Sequence, residues 1–400
     1  MISMPMSRRR LMAAAGALGA QLAFAAPGAR AQGRRPRLVV VILRGAADGL
    51  SMTPPLGDPN YLALRRTLAL TDDARRLDAD FALHPELKTI HTLVGEGQAR
   101  IAPAVAMPDR IRSHFEAQDK LENGATDEVS SGWLNRVVAE LAGERPAEAL
   151  AVGPVAPLIL RGPAPAGVWS PGQTIDPAGR TPKLLADLYA GDPVLSAALS
   201  QGLRTEGLAR TSLARLADGE EAGLQPRAIA GDQPEAGRRL GQAVAGFMTE
   251  TTPLDIVALS LDGFDTHANQ AGMLSRRLAY LDALIGGLRQ GLGEAWGETV
   301  VLVVTEFGRT ARTNGTAGTD HGTASTALVL GGAVKPGGII GDWPGLAEAQ
   351  LYENRDLAPT LDLRSLFKGV LAEHLGLDRR VLDTRLFPDS TKAAPVTGLV

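Results

Sequence analysis

Four short apolar runs, each followed by a polar loop, constrain the fold of this 400-residue chain more than any other feature. The runs are Arg37–Leu43, Ala99–Met107, Asp255–Leu261 and Val300–Val304. They are rich in Val and Ile and do not alternate with polar residues, as is typical of strands buried on both faces. Helical patterns separate these runs along the chain. The sequence therefore predicts an α/β fold, a three-layer sandwich in which helices cover both faces of a mostly parallel sheet.

The first 31 residues differ from the rest. Three arginines, Arg8 to Arg10, precede a stretch of small apolar residues over 12–26, and Ala29-Arg30-Ala31 follows. A basic start, a short apolar core and an A-x-A site are typical of a cleavable export signal. Paired arginines before a weakly apolar core favour a twin-arginine signal, with an ordinary secretory signal as the alternative. We therefore expect the twin-arginine export machinery as a partner and a location in the periplasm or outside the cell.

Charge and cysteine content exclude several classes of function. The formal net charge is −3, and the first 31 residues contain four Arg and no acidic residue, which argues against a nucleic-acid partner for the remaining chain. The absence of Cys excludes disulfides and thiolate metal sites, so that any metal must be held by His and carboxylates. After residue 31 no apolar stretch is long enough to span a bilayer.

Residues 36–390 are predicted to form one domain. The segment from about 125 to 235 is rich in Gly and Pro, and we interpret it as an insertion that covers one side of the sheet. Within it, residues 123–181 are expected to be irregular apart from a helix through Leu141, and residues 184–218 to be helical. Upstream, Leu83 is expected to open a helix that ends near Gly95.

Polar side chains follow each of the four predicted strands. In chain order they are Asp48, Ser113, the group Asp262, Asp265 and His267, then Glu306, with Asp320 and His321 on the loop beyond. Because ligands bind beyond the carboxyl ends of strands in open α/β sheets, we expect these residues to converge. Carboxylates and imidazoles without thiolates suit one or two ions of zinc, manganese, magnesium or calcium. Such ions polarise an ester oxygen and activate a hydroxyl or a water molecule.

Each of these residues also has a purely structural interpretation. Asp48 could form a turn, and Ser113 could serve only as a helix N-cap, although a serine at a helix N-terminus is also where an anion or a nucleophile is stabilised. His114 fits a structural hydrogen bonder. Glu306, at a buried strand end, needs a cation or an arginine such as Arg309 as its partner.

Two arginines lie three residues apart after the fourth strand. Arg309 and Arg312 could bind a phosphate, sulfate or carboxylate group through their guanidinium planes. A solvated pair, or partners of nearby acids, is the equal alternative. The remaining histidines, His84, His91 and His374, are interpreted as surface or capping residues.

Seven segments between Arg37 and Leu386 resemble the exported family known as domain of unknown function 1501. They read LRGAADGLS, RSHFEAQD, GWLNR, LDGFDTHAN, TEFGRTARTNG, GTDHGTAS and RDLAPTLD, in this order. That family is itself similar to the superfamily of alkaline phosphatases, sulfatases and cofactor-independent phosphoglycerate mutases. The resemblance implies an alkaline-phosphatase-like fold.

Carried over to this sequence, the resemblance implies a role for individual residues. Asp48 would be the first metal ligand and Ser113 the nucleophile, Asp262 or Asp265 with His267 would form a metal cluster, and His321 would be the last ligand. The Asp-His pair of the superfamily appears here as Glu306-Phe307, or else as Asp320-His321 displaced along the loop. The Asp265-x-His267 spacing is also tighter than usual. A one-metal or otherwise altered site follows from these departures.

Two functions are consistent with these residues. The first is an exported metal-dependent hydrolase or transferase of phosphate or sulfate esters, in which Ser113 attacks and Arg309 or Arg312 steadies a small anionic substrate. The second is a non-catalytic periplasmic or surface binding protein on the same fold, which the phenylalanine at 307 favours.

Overall fold

The apolar run Arg37–Leu43 forms β1, the central strand of the main sheet, and all seven of its residues are buried. The computed structural model describes residues 35–127, 129–142, 148–153, 155–171, 179–217, 232–250 and 255–400. Its part from Pro36 to Val400 is one compact unit. The predicted export signal, residues 1–31, lies outside the described residues and stays a prediction.

Within the described residues, the main sheet has nine strands. After β1 they are β2 (Ala99–Ala106), β3 (Ala149–Val152), β4 (Gly167–Trp169), β5 (Ile256–Leu261), β6 (Thr299–Val304), β7 (Ser325–Leu330), β8 (Gly338–Ile339) and β9 (Leu361–Asp362). A separate hairpin pairs Arg75–Arg76 with Ala82–Leu83.

Eleven α-helices lie in the part of the chain that the structure describes. They are α1 (Gly49–Met52), α2 (Tyr61–Arg65), α3 (Lys88–Gly95), α4 (His114–Asn123), α5 (Trp133–Ala142), α6 (Arg180–Tyr189), α7 (Pro193–Ala217), α8 (Pro234–Thr249), α9 (Gln270–Leu292), α10 (Leu363–Leu375) and α11 (Arg379–Val381). Short turns of 3-10 or π helix lie at Arg66–Leu68, Leu158–Leu160, Gly293–Glu298, Glu348–Gln350 and Leu382–Leu386.

The strand order is β8-β2-β7-β6-β1-β5-β3-β4, with β9 also paired to β2. All described pairings in this sheet are parallel except those of β7, which runs antiparallel to both β2 and β6. Leu43 lies opposite Leu261, and Ile42 lies opposite Val304. The strands β1, β5 and β6 therefore end at the same level, and β7 begins at the edge where they end.

Helices cover both faces of the sheet and so make three layers. Val39, Val41 and Leu43 of β1 belong to a core shared with α3, α8 and α9. The alternate residues Leu38 and Val40 belong to a second core shared with α4, α5 and α10. The predicted three-layer α/β class with a mostly parallel sheet is confirmed. Among the described residues, no helix is both long and apolar enough to cross a membrane.

The structure also corrects two local predictions. The expected helix start at Leu83 is wrong, because Leu83 ends a short strand and α3 begins at Lys88. Residues 123–181 are not simply irregular, since β3 and β4 lie within them and extend the main sheet beyond β5. Strands of four and three residues between Gly and Pro carry too little periodicity to be found in the sequence.

Candidate metal centre

Three loops bring four side chains together beyond the ends of β1, β5 and β6. His114 is the first residue of α4, Asp265 and His267 follow β5, and His321 lies on the loop that leads into β7. Atoms of His114, Asp265 and His321 that could hold a metal ion all lie within 4.8 Å of one another. His267 adjoins them, with its Nε2 3.0 Å from Oδ1 of Asp265. We call these four residues the histidine–aspartate cluster.

Short distances connect the imidazoles within the cluster. Nε2 of His267 lies 3.1 Å from Nε2 of His321, and Nε2 of His321 lies 3.3 Å from Oδ1 of Asp265. Nε2 of His114 approaches the other oxygen of Asp265, Oδ2, at 3.5 Å. The three rings thus direct the same nitrogen, Nε2, toward one carboxylate.

The outer nitrogen of each ring has an acceptor that determines where its proton lies. Nδ1 of His114 lies 2.8 Å from Oε1 of Glu306, and Nδ1 of His267 lies 3.2 Å from Oδ1 of Asp320. Nδ1 of His321 lies 2.8 Å from the backbone carbonyl of Arg112. Carbonyl and carboxylate oxygens accept only, so each Nδ1 donates and, in the neutral ring, each Nε2 carries a lone pair.

A cation inside the cluster would stabilise this arrangement. Three lone pairs and a carboxylate that face one another repel, unless a metal ion or added ring protons lie between them. Nε2 of His114 is buried and has no hydrogen-bond partner, which is costly for a polar atom. Imidazoles whose outer N–H is held by a carboxylate or carbonyl are the usual ligands of zinc sites, and imidazole and carboxylate are donor types that zinc takes. The residues present therefore fit a divalent metal.

Glu306, predicted as a ligand, lies one step behind the cluster. Its side chain is fully buried, and Oε1 accepts hydrogen bonds from His114, from the Gly45 N–H at 2.8 Å and from Gln118 at 3.1 Å. Burial would raise the pKa of Glu306, but these hydrogen bonds outweigh burial and lower the pKa. The hydrogen bond to Glu306 in turn raises the pKa of His114. The carboxylate orients an imidazole in this structure.

Asp320 has the same kind of position at His267. Burial acts to raise the pKa of Asp320, but hydrogen bonds from Asn314 and His267 lower it below its ordinary value. The Asp320-His321 pair is therefore divided between two roles, since His321 is in the cluster and Asp320 orients His267.

Arg309, interpreted from the sequence as either an anion-binding group or the partner of a nearby acid, holds Asp265. The guanidinium is buried, and its Nη1 donates to Oδ1 of Asp265 at 2.8 Å. The hydrogen bond from Arg309 outweighs the effect of burial, so the pKa of Asp265 lies below its ordinary value. The side chain of Asp265 is nonetheless 45% exposed, which leaves one side of the cluster open to solvent.

Phe307 forms the apolar wall of the cluster. Its ring stacks on His114 with centroids 5.0 Å apart and lies 5.2 Å from the ring of His321. His114, interpreted from the sequence as a structural hydrogen bonder, is thus the cluster residue that sequence reasoning missed. Its position directly after Ser113, at the end of the second strand, was the available signal.

Asp48 is not part of the cluster. It is buried, and its Oδ2 accepts hydrogen bonds from the guanidinium of Arg65, from Ser51 at 2.8 Å and from the amide of Gln270. Arg65 is completely buried and provides the positive charge that a metal was expected to provide. The sequence offered no signal for this pairing, because Arg65 lies on α2 and at no strand end.

The other predicted residues lie around the cluster without joining it. Asp262 is exposed and lines a separate cleft of about 300 Å³ with Ser260, Arg277 and Tyr280. Arg312 is 52% exposed and lies 3.9 Å from Glu348 on the surface.

Ser113 is exposed at the N-terminus of α4, directly before His114, and its side chain makes no capping hydrogen bond. His84 and His374 are buried rather than on the surface.

Two glycines allow the loops to meet closely. Gly45 has φ +110°, and a Cβ there would lie 2.4 Å from the backbone nitrogen of Asp265. A Cβ on Gly318 would lie 2.3 Å from the backbone of His267. Side chains at either position would push apart the loops that carry the cluster.

Several solved structures are similar to this chain at low identity. A protein of the alkaline phosphatase superfamily from Vibrio parahaemolyticus is 10% identical with a TM-score of 0.36, and the match covers 84% of this chain and 72% of that one. The C-terminal periplasmic domain of EcEptC from Escherichia coli, in complex with Zn, is 9% identical with a TM-score of 0.39, covering 92% and 93%. The lipoteichoic acid synthase LtaP from Listeria monocytogenes is 10% identical with a TM-score of 0.34, covering 76% and 68%.

At these identities and TM-scores, the similar structures do not indicate what this protein does. No curated protein matches the chain in sequence. A family model, described as protein of unknown function (DUF1501), matches residues 35–386. The chain therefore belongs to the DUF1501 family.

Proposed function

We propose that this protein is exported and acts as a metal-dependent hydrolase or transferase of phosphate or sulfate esters. The observation that carries the proposal is the histidine–aspartate cluster, in which three Nε2 atoms face one carboxylate while each Nδ1 donates to an oxygen. Its open side allows an ester to approach. Export rests on the twin-arginine pattern of residues 1–31.

The donor set favours zinc over magnesium or calcium. Three imidazoles suit zinc, whereas magnesium and calcium take oxygen ligands almost exclusively. The proposal takes one ion rather than two, because Asp48 is paired with Arg65, and Glu306 and Asp320 are engaged by histidines. When bound, such an ion supplies Lewis acidity toward an ester oxygen and stabilises negative charge on a nearby hydroxyl.

Ser113 is the residue of this chain that we assign to nucleophilic attack. Its hydroxyl is exposed and makes no capping bond, and it directly precedes His114 in the cluster. The N-terminus of the ten-residue helix α4 begins at the same place, and its free N–H groups favour the negative charge that develops on an attacking oxygen. Glu306 and Arg309 hold His114 and Asp265 in place during the reaction.

The test is a comparison of Ser113→Ala with the wild-type protein, both loaded with zinc, on a panel of aryl phosphates and sulfates. We expect the wild type to hydrolyse at least one ester, and the variant to retain zinc while losing about a hundredfold or more in rate. Ser200→Ala, at an exposed position of α7, is the matched control and should behave as the wild type. Equal rates for Ser113→Ala and the wild type would refute the role of Ser113.

A second candidate function, a metal-containing binding protein without turnover, is favoured by the two arginines. Arg309 is occupied by Asp265, and Arg312 lies on the surface near Glu348, so neither is held ready for an anionic substrate. The same ester panel separates the two functions. Bound zinc with no turnover of any ester supports the binding protein.

A further inference from the structure

We propose that hydrogen bonds through Gln270 and Thr319 connect the buried Asp48–Arg65 ion pair to the metal centre. Thr319 is thereby a positioning residue for Asp265. The inference rests on the proposed function, because it concerns how well the cluster holds its ion. The path runs from Asp48 to Gln270, Thr319 and Arg309, and ends at Asp265.

The residues of this path are buried to an unusual degree. Asp48 and Arg309 are each 1% exposed, while Arg65, Gln270 and Thr319 are 0% exposed. Burying two guanidinium groups and a carboxylate is costly unless every charge is paired and every polar atom finds a partner. Oδ1 of Asp48 and Nε of Arg65 have no hydrogen-bond partner, but the three charges are paired and hydrogen bonds connect all five side chains.

Each hydrogen bond determines the direction of the next one. The carboxylate of Asp48 can only accept, so the amide of Gln270 presents Nε2 to it and directs Oε1 the other way. Oε1 must then accept, and it does so from the hydroxyl of Thr319 at 2.6 Å. Because that hydroxyl has given its only proton, its oxygen accepts the Nε–H of Arg309 at 3.2 Å.

Arg309 is thereby held at all three of its nitrogens. Nε donates to the Thr319 hydroxyl, Nη2 donates to the Thr319 carbonyl at 2.9 Å, and Nη1 is left to donate to Asp265 at 2.8 Å. Arg65 adds a second connection, since its Nη1 donates to the carbonyl of Thr310, the residue after Arg309. The ion pair thus fixes both the side chain and the backbone of Arg309.

Asp265 depends on this support more than the three histidines do. Its side chain is 45% exposed on a loop, more than His114 at 23% and His321 at 27% and about the same as His267 at 46%, but Asp265 is the residue that Arg309 holds directly. Removing the Thr319 hydroxyl would leave the buried Nε–H of Arg309 without an acceptor and would loosen the hold of Arg309 on Asp265. Substitution of residues behind metal ligands lowers metal affinity about 10-fold to 100-fold.

The experiment uses Thr319→Val, which keeps the shape and removes the hydroxyl, in the full-length protein. Zinc affinity is measured by competition with a chromophoric chelator, and ligand geometry by the visible spectrum of the cobalt-substituted protein. We expect about tenfold weaker zinc binding and a changed cobalt spectrum. Thr319→Ser, which restores the hydroxyl, should recover both.

The matched control is Thr326→Val, which removes an equally buried hydroxyl that donates to the carbonyl of Gly49 at 3.2 Å. It should leave zinc affinity within twofold of the wild type. Should Thr319→Val fail to fold, Thr319→Ala provides the same test with a smaller side chain.

A metal-free readout separates this inference from the proposed function. In the metal-free wild type, the Nε–H proton of Arg309 should exchange slowly with water in a nitrogen-15 correlation spectrum, and in Thr319→Val it should exchange rapidly. If the wild type binds no zinc, the proposed function fails, and this proton alone decides the inference. Unchanged exchange in Thr319→Val, or zinc affinity within twofold of the wild type, overturns it.

Discussion

The substitution Glu306→Gln distinguishes a carboxylate that orients a ligand from one that only stabilises the fold. Glu306 is fully buried and accepts the Nδ1–H of His114 at 2.8 Å. A glutamine of the same shape can still accept this proton through its oxygen. Its amide can donate to the hydroxyl of Thr305, which now lies 2.9 Å from Oε2. What is lost is the negative charge, and hydrogen bonds to charged groups are about twice as strong as neutral ones.

The expected loss of zinc affinity in Glu306→Gln follows from the position of Glu306 as the outer partner of a cluster histidine. Loss of an outer partner costs about tenfold or more in metal affinity, and tenfold corresponds to about 1.4 kcal/mol. Zinc at 100 times the wild-type Kd stabilises the wild type by about 2.7 kcal/mol, and it should stabilise the variant by only about 1.4 kcal/mol. The metal-free variant should be less stable than the metal-free wild type, because the lowered pKa of Glu306 shows that its hydrogen-bonded charge is favoured in the folded state.

The assay is urea unfolding of both proteins with and without zinc. Glu373→Gln is the control, since Glu373 is also a hydrogen-bonded carboxylate but accepts from the backbone of residues 398–400 instead of a cluster histidine. Equal zinc stabilisation of Glu306→Gln and the wild type would refute the orienting role. A variant that is less stable without zinc but keeps the full wild-type stabilisation by zinc would show that Glu306 only stabilises the fold.

Three further predictions concern residues around the cluster. Asp356→Asn should reduce the free energy of unfolding by about 2 kcal/mol and weaken zinc binding, as measured by urea unfolding and chelator competition. The reason is that buried Asp356 holds the guanidinium of Arg112, and the carbonyl of Arg112 accepts a hydrogen bond from His321. Burial lowers the pKa of His84 from 6.5 to about 4, so the folded state binds fewer protons than the unfolded state between these values. Stability should therefore fall by up to about 3 kcal/mol as the pH falls from 6.5 to 4, and a His84→Gln variant with the same pH dependence as the wild type would contradict this. Arg312→Ala should change stability by less than about 0.5 kcal/mol and leave zinc affinity unchanged, and a tenfold loss of affinity would show that Arg312 acts at the site.

The central strands of the sheet could be predicted because their sequences are apolar at nearly every position. Runs such as RLVVVIL are apolar on both faces, and only a strand covered on both sides buries them. The strands β3 and β4 could not be predicted, because four and three residues carry no distinct period. Their place in the sheet is set by pairing with β5 and not by their own sequence.

The sequence predicted which residues of the candidate site lie near one another, but not which side chains contact each other. Asp265, His267 and His321 follow from the rule that strand ends converge. Whether a carboxylate contacts a metal or a histidine depends on a small displacement of one side chain, which sequence spacing does not encode. The sequence therefore predicts Glu306 and Asp320 as metal ligands, whereas in the structure they contact the histidines of the cluster. Arg65, which pairs with Asp48, lies outside every motif, whereas His114 lies within the segment RSHFEAQD but was interpreted as structural because it follows a serine at a helix start.

The most direct test of the account is the metal content of the purified full-length protein, measured by mass spectrometry after removal of loosely bound ions. We expect one equivalent of zinc per chain in the wild type and less than about a tenth of an equivalent in His321→Ala, because His321 is one of the three residues whose donor atoms lie close enough together to hold an ion. A wild type without metal, or a His321→Ala protein that retains the full equivalent, would contradict it.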